Sequence, residues 1–319
     1  MGNSESDVIK EIIKKLKESD GIQIITHKSP DMDTLGSALA LYHALRKLGK
    51  KVRVIYDTRI APKCNFLFEG YVDSDFDANL FVTVDIATPG LFPKEFVSDR
   101  EVDICIDHHI KNGILAKLKL IKTNAAATGE IIYDIINLLG VAMDEKIASC
   151  LYAAIATDTG CFRQANTTAN SHKIAANLME TGMDYSLINK NVFGFESLKD
   201  FELKKIFFAN VEFFFGGKLA LVTITKSILQ QVGLEQEEID DGLFSELIKI
   251  EGVCVSAVLR EKDNCTKVSL RTNEDYNASE IANQWNNGGG HKRAAGCCIK
   301  GSVAEAKRII IDTLEANLR

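Results

Sequence analysis

The sequence predicts an α/β chain: a doubly wound, mainly parallel sheet, joined by a helical connector to a smaller α+β domain. Three patterns carry that prediction. From residue 1 to about 187, short apolar runs alternate with segments of helical period, as βαβ units with right-handed crossovers require. From about Asn189 to Asn210 the pattern becomes polar-aromatic and helical. After Gly216-Gly217 a second series of strands and helices begins. The expected boundaries are 1–188, 189–210 and 211–319, and a length of 319 residues suits two domains.

Taken in order, Val8, Ile9, Ile12, Ile13 and Leu16 recur at helical spacing, and Asp20-Gly21 ends that helix. Residues 22–26 read as a buried strand that runs into the polar stretch from Thr26 to Ser37, after which 38–48 is helical until Gly49. Strands follow at 51–56, at 80–84 with Asp85 at its end, and at 103–106, which breaks off into Asp107-His108-His109. A strand near 118–121 leads to helices at 128–139 and 144–156, the second ending in Thr157-Asp158-Thr159-Gly160-Cys161-Phe162-Arg163. In the second series, strands are expected at 218–225, 253–260, 267–271 and 295–300. Helices are expected at 227–231, 242–249, from Ser279, and at 303–318, with the acidic run 235–241 read as a solvated loop.

Composition excludes several classes of function. A hydrophobic content of 46% with 26% charged residues is that of a soluble globular protein. A net charge of −6 argues against life on long duplex nucleic acid, where affinity comes from Lys and Arg neutralising many phosphates. No window of 18 uninterrupted apolar residues occurs, so no membrane span is expected. The eight cysteines show no C-x-x-C spacing, and the N-terminus has no apolar signal core. Both features point to reduced, mostly buried thiols in a cytoplasmic protein; a homodimer is compatible with all of this. His43 and His172, in helical stretches away from the other polar clusters, read as surface residues.

Strand and helix ends deliver an unusual set of side chains: His27, Asp31 and Asp33; Asp85; Asp107, His108 and His109; and Asp158. Ligands of open α/β sheets bind at the C-terminal ends of strands. Carboxylate and imidazole without thiolate suit Mn²⁺ or a similar octahedral ion. Counting anions argues for two ions, since one would leave several carboxylates facing each other unneutralised. Two ions sharing a carboxylate serve in-line displacement at phosphorus, and Asp85, alone on its strand end, is the natural shared ligand. In the second domain, Asn286-Asn287-Gly288-Gly289-Gly290-His291-Lys292-Arg293 follows a strand ending in Arg271. Backbone amides freed by glycine beside these cations make a phosphate clamp.

With these residues in place, the chain resembles the DHH phosphoesterase superfamily, specifically its members with the DHH-associated C-terminal domain. The motifs that carry the resemblance are His27-x-x-x-Asp31-x-Asp33, Asp85, Asp107-His108-His109, Thr157-Asp158-Thr159-Gly160, and Gly288-Gly289-Gly290-His291 with Ala294-Ala295-Gly296. The resemblance implies one Mn²⁺ held by His27, Asp31 and Asp85, and another by Asp33, Asp85, His108 and Asp158, with Mg²⁺ or Co²⁺ as alternatives. It implies that His109 lies near the scissile phosphate and that Asp107 orients a ligand histidine. It implies that Arg271, His291 and Gly288–Gly290 grip the substrate in a closing C-terminal domain; Arg163 is a further candidate for holding a phosphate. Phe162 is read as a core aromatic, with base stacking as its other reading.

Chains of this length look like the bacterial nano-RNase and pAp-phosphatase group. The implied substrates are small nucleotides and very short single-stranded RNA: oligoribonucleotides of two to five nucleotides cleaved to mononucleotides, and 3′-phosphoadenosine 5′-phosphate converted to AMP. That group often has glycine between the two motif aspartates, whereas this chain has Met32, as in related cyclic-di-AMP phosphodiesterases. Hydrolysis of cyclic di-AMP or its linear product pApA is therefore the alternative. A nucleotide sensor without activity would be expected to lack a metal ligand, and none is missing.

Overall fold

The computed structural model describes residues 4–56, 60–96, 101–194, 196–239, 241–285 and 288–318. They form two compact units, Met1–Phe195 and Glu196–Arg319. In chain order the first unit contains α1 (Glu5–Glu18), β1 (Gly21–Ile25), α2 (Met32–Lys47), β2 (Lys51–Ile55), β3 (Leu80–Val84), β4 (Val102–Asp107) and β5 (Ala116–Ile121). Helices α3 (Thr128–Leu139), α4 (Glu145–Asp158), α5 (Ala169–Met179) and α6 (Tyr185–Asn189) complete it.

The five strands form a sheet of order β2-β1-β3-β4-β5, and every pairing is parallel. All five C-terminal ends therefore lie along one edge; the helices cover one face of the sheet, and the other face packs on Ile86, Phe96 and Ile114 of the connecting segments. β3 and β4 are buried throughout, which is why each reads in sequence as a mainly apolar run, with Thr83 and Asp103 as buried polar exceptions. Helix α2 is buried at every residue from Met32 to Leu45 and so lacks a polar face. Its close crossing with α4 depends on Gly36, where a Cβ would lie 2.4 Å from the carbonyl oxygen of Cys150.

The expected fold class is thus found, with local corrections. α2 starts at Met32, six residues before the helix expected from periodicity, because the polar residues of its first turn face inward. His43, expected at the surface, is buried in that same helix; His172 is exposed and stacks on the Phe162 ring, with centroids 5.1 Å apart.

The second unit contains α7 (Leu198–Ala209), β6 (Glu212–Phe214), β7 (Leu219–Ile224), α8 (Lys226–Val232), β8 (Val255–Glu261) and β9 (Cys265–Thr272). It ends with α9 (Ala278–Asn283), β10 (Gly289–Gly290), β11 (Ala294–Lys300) and α10 (Val303–Leu318). The six strands form a mixed sheet of order β10-β11-β9-β8-β7-β6, in which only β7 and β8 run parallel. One face packs on Ala278, Ile281 and Ala282 of α9 and on Ala306, Ile310 and Leu314 of α10. The other packs on Leu203 and Phe207 of α7 and Leu229 of α8. In place of a helix at 242–249 stand two 3-10 turns, Asp241–Ser245 and Leu247–Lys249. All eight cysteines are free and four of them are buried.

Candidate metal centre

The C-terminal edge of the parallel sheet carries the charged cluster. His27 follows β1, and its Nε2 lies 3.6 Å from Oδ1 of Asp31 and 4.0 Å from Oδ2 of Asp85. Asp31 is the N-cap of α2, accepting a hydrogen bond from the Thr34 amide at 3.0 Å. Asp33, in the first turn, is only 1% exposed. Its carboxylate accepts from the Thr128 amide (2.7 Å), the Gly129 amide (3.0 Å) and the Ser37 hydroxyl (3.0 Å). The first two donors are free amides at the start of α3, so Asp33 binds a helix N-terminus across 95 residues of sequence.

Asp85 follows β3, is 3% exposed and adopts φ +60°. That left-handed conformation is uncommon outside glycine, although aspartate is among the residues that tolerate it. Oδ1 of Asp85 accepts from the Thr128 hydroxyl at 2.9 Å. His108 Nε2 lies 3.3 Å from Oδ2 of Asp158, 3.8 Å from Asp85 and 3.9 Å from Asp33. Most of these separations exceed a normal hydrogen bond. Among the described residues, three groups of donor atoms lie within 4.8 Å of one another: His27, Asp31 and Asp85; Asp33, His108 and Asp158; and Asp85, His108 and His109.

Asp107, the last residue of β4, is wholly buried. Oδ1 accepts the ring Nδ1–H of His109 at 2.7 Å and the backbone amides of His108 (2.8 Å) and His109 (3.2 Å). Asp107 thus holds the ring of His109, whereas Nδ1 of His108 faces the carbonyl of Ala125 at 3.3 Å. Sequence reading also missed Asn112, which donates to Oδ2 of Asp107, and the pair Thr128-Gly129. A helix beginning Thr-Gly was the one available signal for the latter, since helix N-termini bind anions.

The donor set fits divalent cations. Burial, then repulsion from Asp85 and Asp31, pushes Asp33 well above the usual carboxylate range. Burial and Asp31 do the same to Asp85. Burial, followed by Asp33 and Asp31, pushes Asp158 up to about 8. Burial, with the nearby His109, lowers His108 and favours its neutral, ligating form. His109 is raised to about 9, chiefly by its hydrogen bond to Asp107. Packed carboxylates that hinder one another's ionisation are stabilised by a shared positive charge, and oxygen with imidazole nitrogen suits a hard or borderline ion.

Arg163 lies in the same unit, five residues beyond Asp158 in the chain. It is exposed, and its Nε donates to the carbonyl of Gly160 at 2.8 Å. Gly160, Cys161 and Phe162 before it have φ of +55°, +59° and +61°, a strained left-handed run of the kind concentrated at functional sites. The Phe162 ring is partly buried against the core, as expected of a core aromatic. Arg271, the glycine run and His291 belong to the second unit. Arg271 Nε donates to Ser245 Oγ at 3.2 Å. Gly289 and Gly290 pair with Gly296 and Ala295, and the His291 amide donates to Ala294 at 2.7 Å, so the run is a β-hairpin rather than an open loop. Its glycines permit close backbone approach: a Cβ at Gly288 would lie 2.0 Å from the Ala282 oxygen. His291, Lys292 and Arg293 are exposed; Asn286 and Asn287 lie outside the described residues.

A buried carboxylate–imidazole cluster at the end of a parallel sheet, with a separate α+β unit following in the chain, defines a two-domain α/β protein whose first unit carries a candidate metal centre. The chain belongs to the DHH family: residues 21–155 match its N-terminal domain and residues 224–319 match the DHHA1 domain. It is 34% identical over 300 residues to the bifunctional oligoribonuclease and PAP phosphatase NrnA of Thermus thermophilus, covering 91% of this chain and 88% of that protein. It is 27% identical over 307 residues to the protein of the same name from Bacillus subtilis, covering 95% and 96%. In fold it matches an exopolyphosphatase-related protein from Bacteroides fragilis with a TM-score of 0.83 at 24% identity, covering 98% of this chain and 96% of that one. Among the described residues, no helix is long and apolar enough to cross a membrane.

Proposed function

We propose that the chain is a cytoplasmic phosphoesterase that hydrolyses very short oligoribonucleotides to mononucleotides and 3′-phosphoadenosine 5′-phosphate to AMP. The observation that carries the reading is the pair of adjoining donor groups, His27, Asp31 and Asp85 beside Asp33, His108 and Asp158, in a relative of oligoribonuclease and PAP phosphatases. Residues 1–188 carry the chemistry and residues 211–319 hold the substrate. Asp85 is the shared ligand of two ions, which we take to be Mn²⁺. When bound, such ions supply a nucleophile at neutral pH and offset charge on the phosphoryl oxygens.

The remaining roles fall to side chains of this chain. Asp107 keeps the His109 ring oriented so that Nε2 turns away from it, toward the phosphate or leaving oxygen. Arg163, Arg271, His291 and the Gly288–Gly290 hairpin hold phosphate and nucleotide. The alternative, a cyclic-di-AMP or pApA phosphodiesterase, drew its support from Met32, whose side chain is buried in the core of the first unit.

The test is Mn²⁺-dependent turnover measured in parallel on a ribodinucleotide, adenosine 3′,5′-bisphosphate, pApA and cyclic di-AMP, with Asp85→Ala as the blank. Activity on the first two, little on cyclic di-AMP and none in the blank supports the reading. Dominant activity on the cyclic substrate overturns the substrate assignment.

A further inference from the structure

We infer that Asn112 is a positioning residue, which fixes the His109 imidazole by locking the Asp107 carboxylate. The inference rests on the phosphoesterase reading above and names the next link behind His109. Nδ2 of Asn112 donates to Oδ2 of Asp107 at 2.6 Å and to the Ile86 carbonyl at 2.9 Å. Oδ1 of Asn112 accepts from the Ile114 amide at 3.0 Å. The two ends of the side-chain amide are thereby assigned, since a carboxylate and a carbonyl only accept and a backbone amide only donates.

Asp107 is 0% exposed. With Oδ2 held by Asn112, the carboxylate plane is set, and Oδ1 faces the His109 ring. An Nδ1–H donated to Oδ1 leaves Nε2 as the working nitrogen of His109, which remains 38% exposed. Without Asn112 the carboxylate is held at Oδ1 alone, by the His108 and His109 amides, and can pivot about that oxygen, which shifts the angle of the His109 ring. Asn112 is not needed merely to hold its loop: the Gly113 amide bonds the Ala87 carbonyl at 2.8 Å, and Lys119 Nζ bonds the Asn112 carbonyl at 3.2 Å.

The experiment compares wild type with Asn112→Leu, which keeps the branched heavy-atom shape and removes the amide, and with Asn112→Asp, which removes the donor. Ribodinucleotide turnover and bound Mn²⁺ per chain are measured, and the His109 Nδ1–H resonance is recorded in ¹⁵N-histidine-labelled protein with diamagnetic Mg²⁺ in place of Mn²⁺, assigned through His109→Gln. Expected in each folded variant is a kcat lower by roughly 10–100-fold, with KM and bound metal unchanged and the far-downfield Nδ1–H signal lost or moved. Wild-type kcat in a folded Asn112→Leu protein overturns the inference alone, as does a loss of kcat matched by a loss of bound metal. If wild type cleaves no phosphoester, the proposed function fails. The resonance then decides by itself: its presence in wild type and loss in the variants supports the Asn112–Asp107–His109 link, and its absence from wild type overturns it.

Discussion

Adding Mn²⁺ at several pH values tests whether the buried carboxylates form one cation site. In the metal-free protein Asp158 is raised from its ordinary 3.8 to about 8, and Asp33 and Asp85 are raised well above the usual range. Between those limits the folded state binds protons that the unfolded state has released, so each group's contribution to stability is complete below pH 3.8 and lost as pH rises through its folded value. One proton changes stability by about 1.4 kcal/mol per pH unit. For Asp158 the ceiling across its window is about 6 kcal/mol, reduced by water because the carboxylate is 29% exposed. His109, raised to about 9, acts in the same direction between 6.5 and 9. Asp31 and Asp107 are lowered and are fully ionised throughout that range. The metal-free melting temperature should therefore fall from pH 6 to pH 8. A cation displaces the same protons, so Mn²⁺ should bind more tightly as pH rises. At a hundredfold excess over Kd it stabilises by about 2.7 kcal/mol, which for a unit of this size is roughly 5–10 °C. Scanning calorimetry with and without a chelator at pH 6, 7 and 8 reads both trends. A Mn²⁺-induced shift that is equal at pH 6 and pH 8, or absent at both, refutes the site.

Arg271→Ala should raise KM for the ribodinucleotide about tenfold and leave kcat within about threefold, as loss of uniform binding does; steady-state kinetics showing an unchanged KM would remove Arg271 from the clamp. Thr128→Val deletes the hydroxyl that bonds Asp85 at 2.9 Å and should weaken Mn²⁺ binding by about tenfold in calorimetric titration. An unchanged Kd there would mean that the hydroxyl does not orient Asp85. Gly36→Ala drives a methyl against the Cys150 carbonyl and should cost about 1–3 kcal/mol, or roughly 2–10 °C in Tm. An unaltered Tm would show that α2 and α4 can separate freely.

What the sequence disclosed about this fold follows from the physics of parallel sheets. β3 spans Leu80–Val84 as expected and β4 departs by one residue at each end, because strands buried on both faces are mainly apolar. The strand-end rule then located His27, Asp85, Asp107 and His108. Prediction failed where a polar residue is satisfied by something distant in the chain. Asp33 looks like loop because its polarity breaks the helical period, yet in the fold it is a buried group bound to the amides of Thr128 and Gly129. His43 looks exposed because histidine usually is, yet α2 has no solvent face on which to place it. Leu203 and Phe207 read as connector and instead fill the core of the second unit. Asn112 reads as an ordinary turn residue, since its two side-chain partners at the site, Asp107 and Ile86, come from different strand ends. A single sequence thus exposes ligands that strands deliver directly, while the residues that aim those ligands emerge only when remote backbone amides and carbonyls are brought to them. The groups that bind the cation and the groups that orient side chains around it therefore differ in how they can be found, which is why Thr128, which holds Asp85, and Asn112, which acts through Asp107 on His109, are the substitutions that separate metal binding from the alignment of His109.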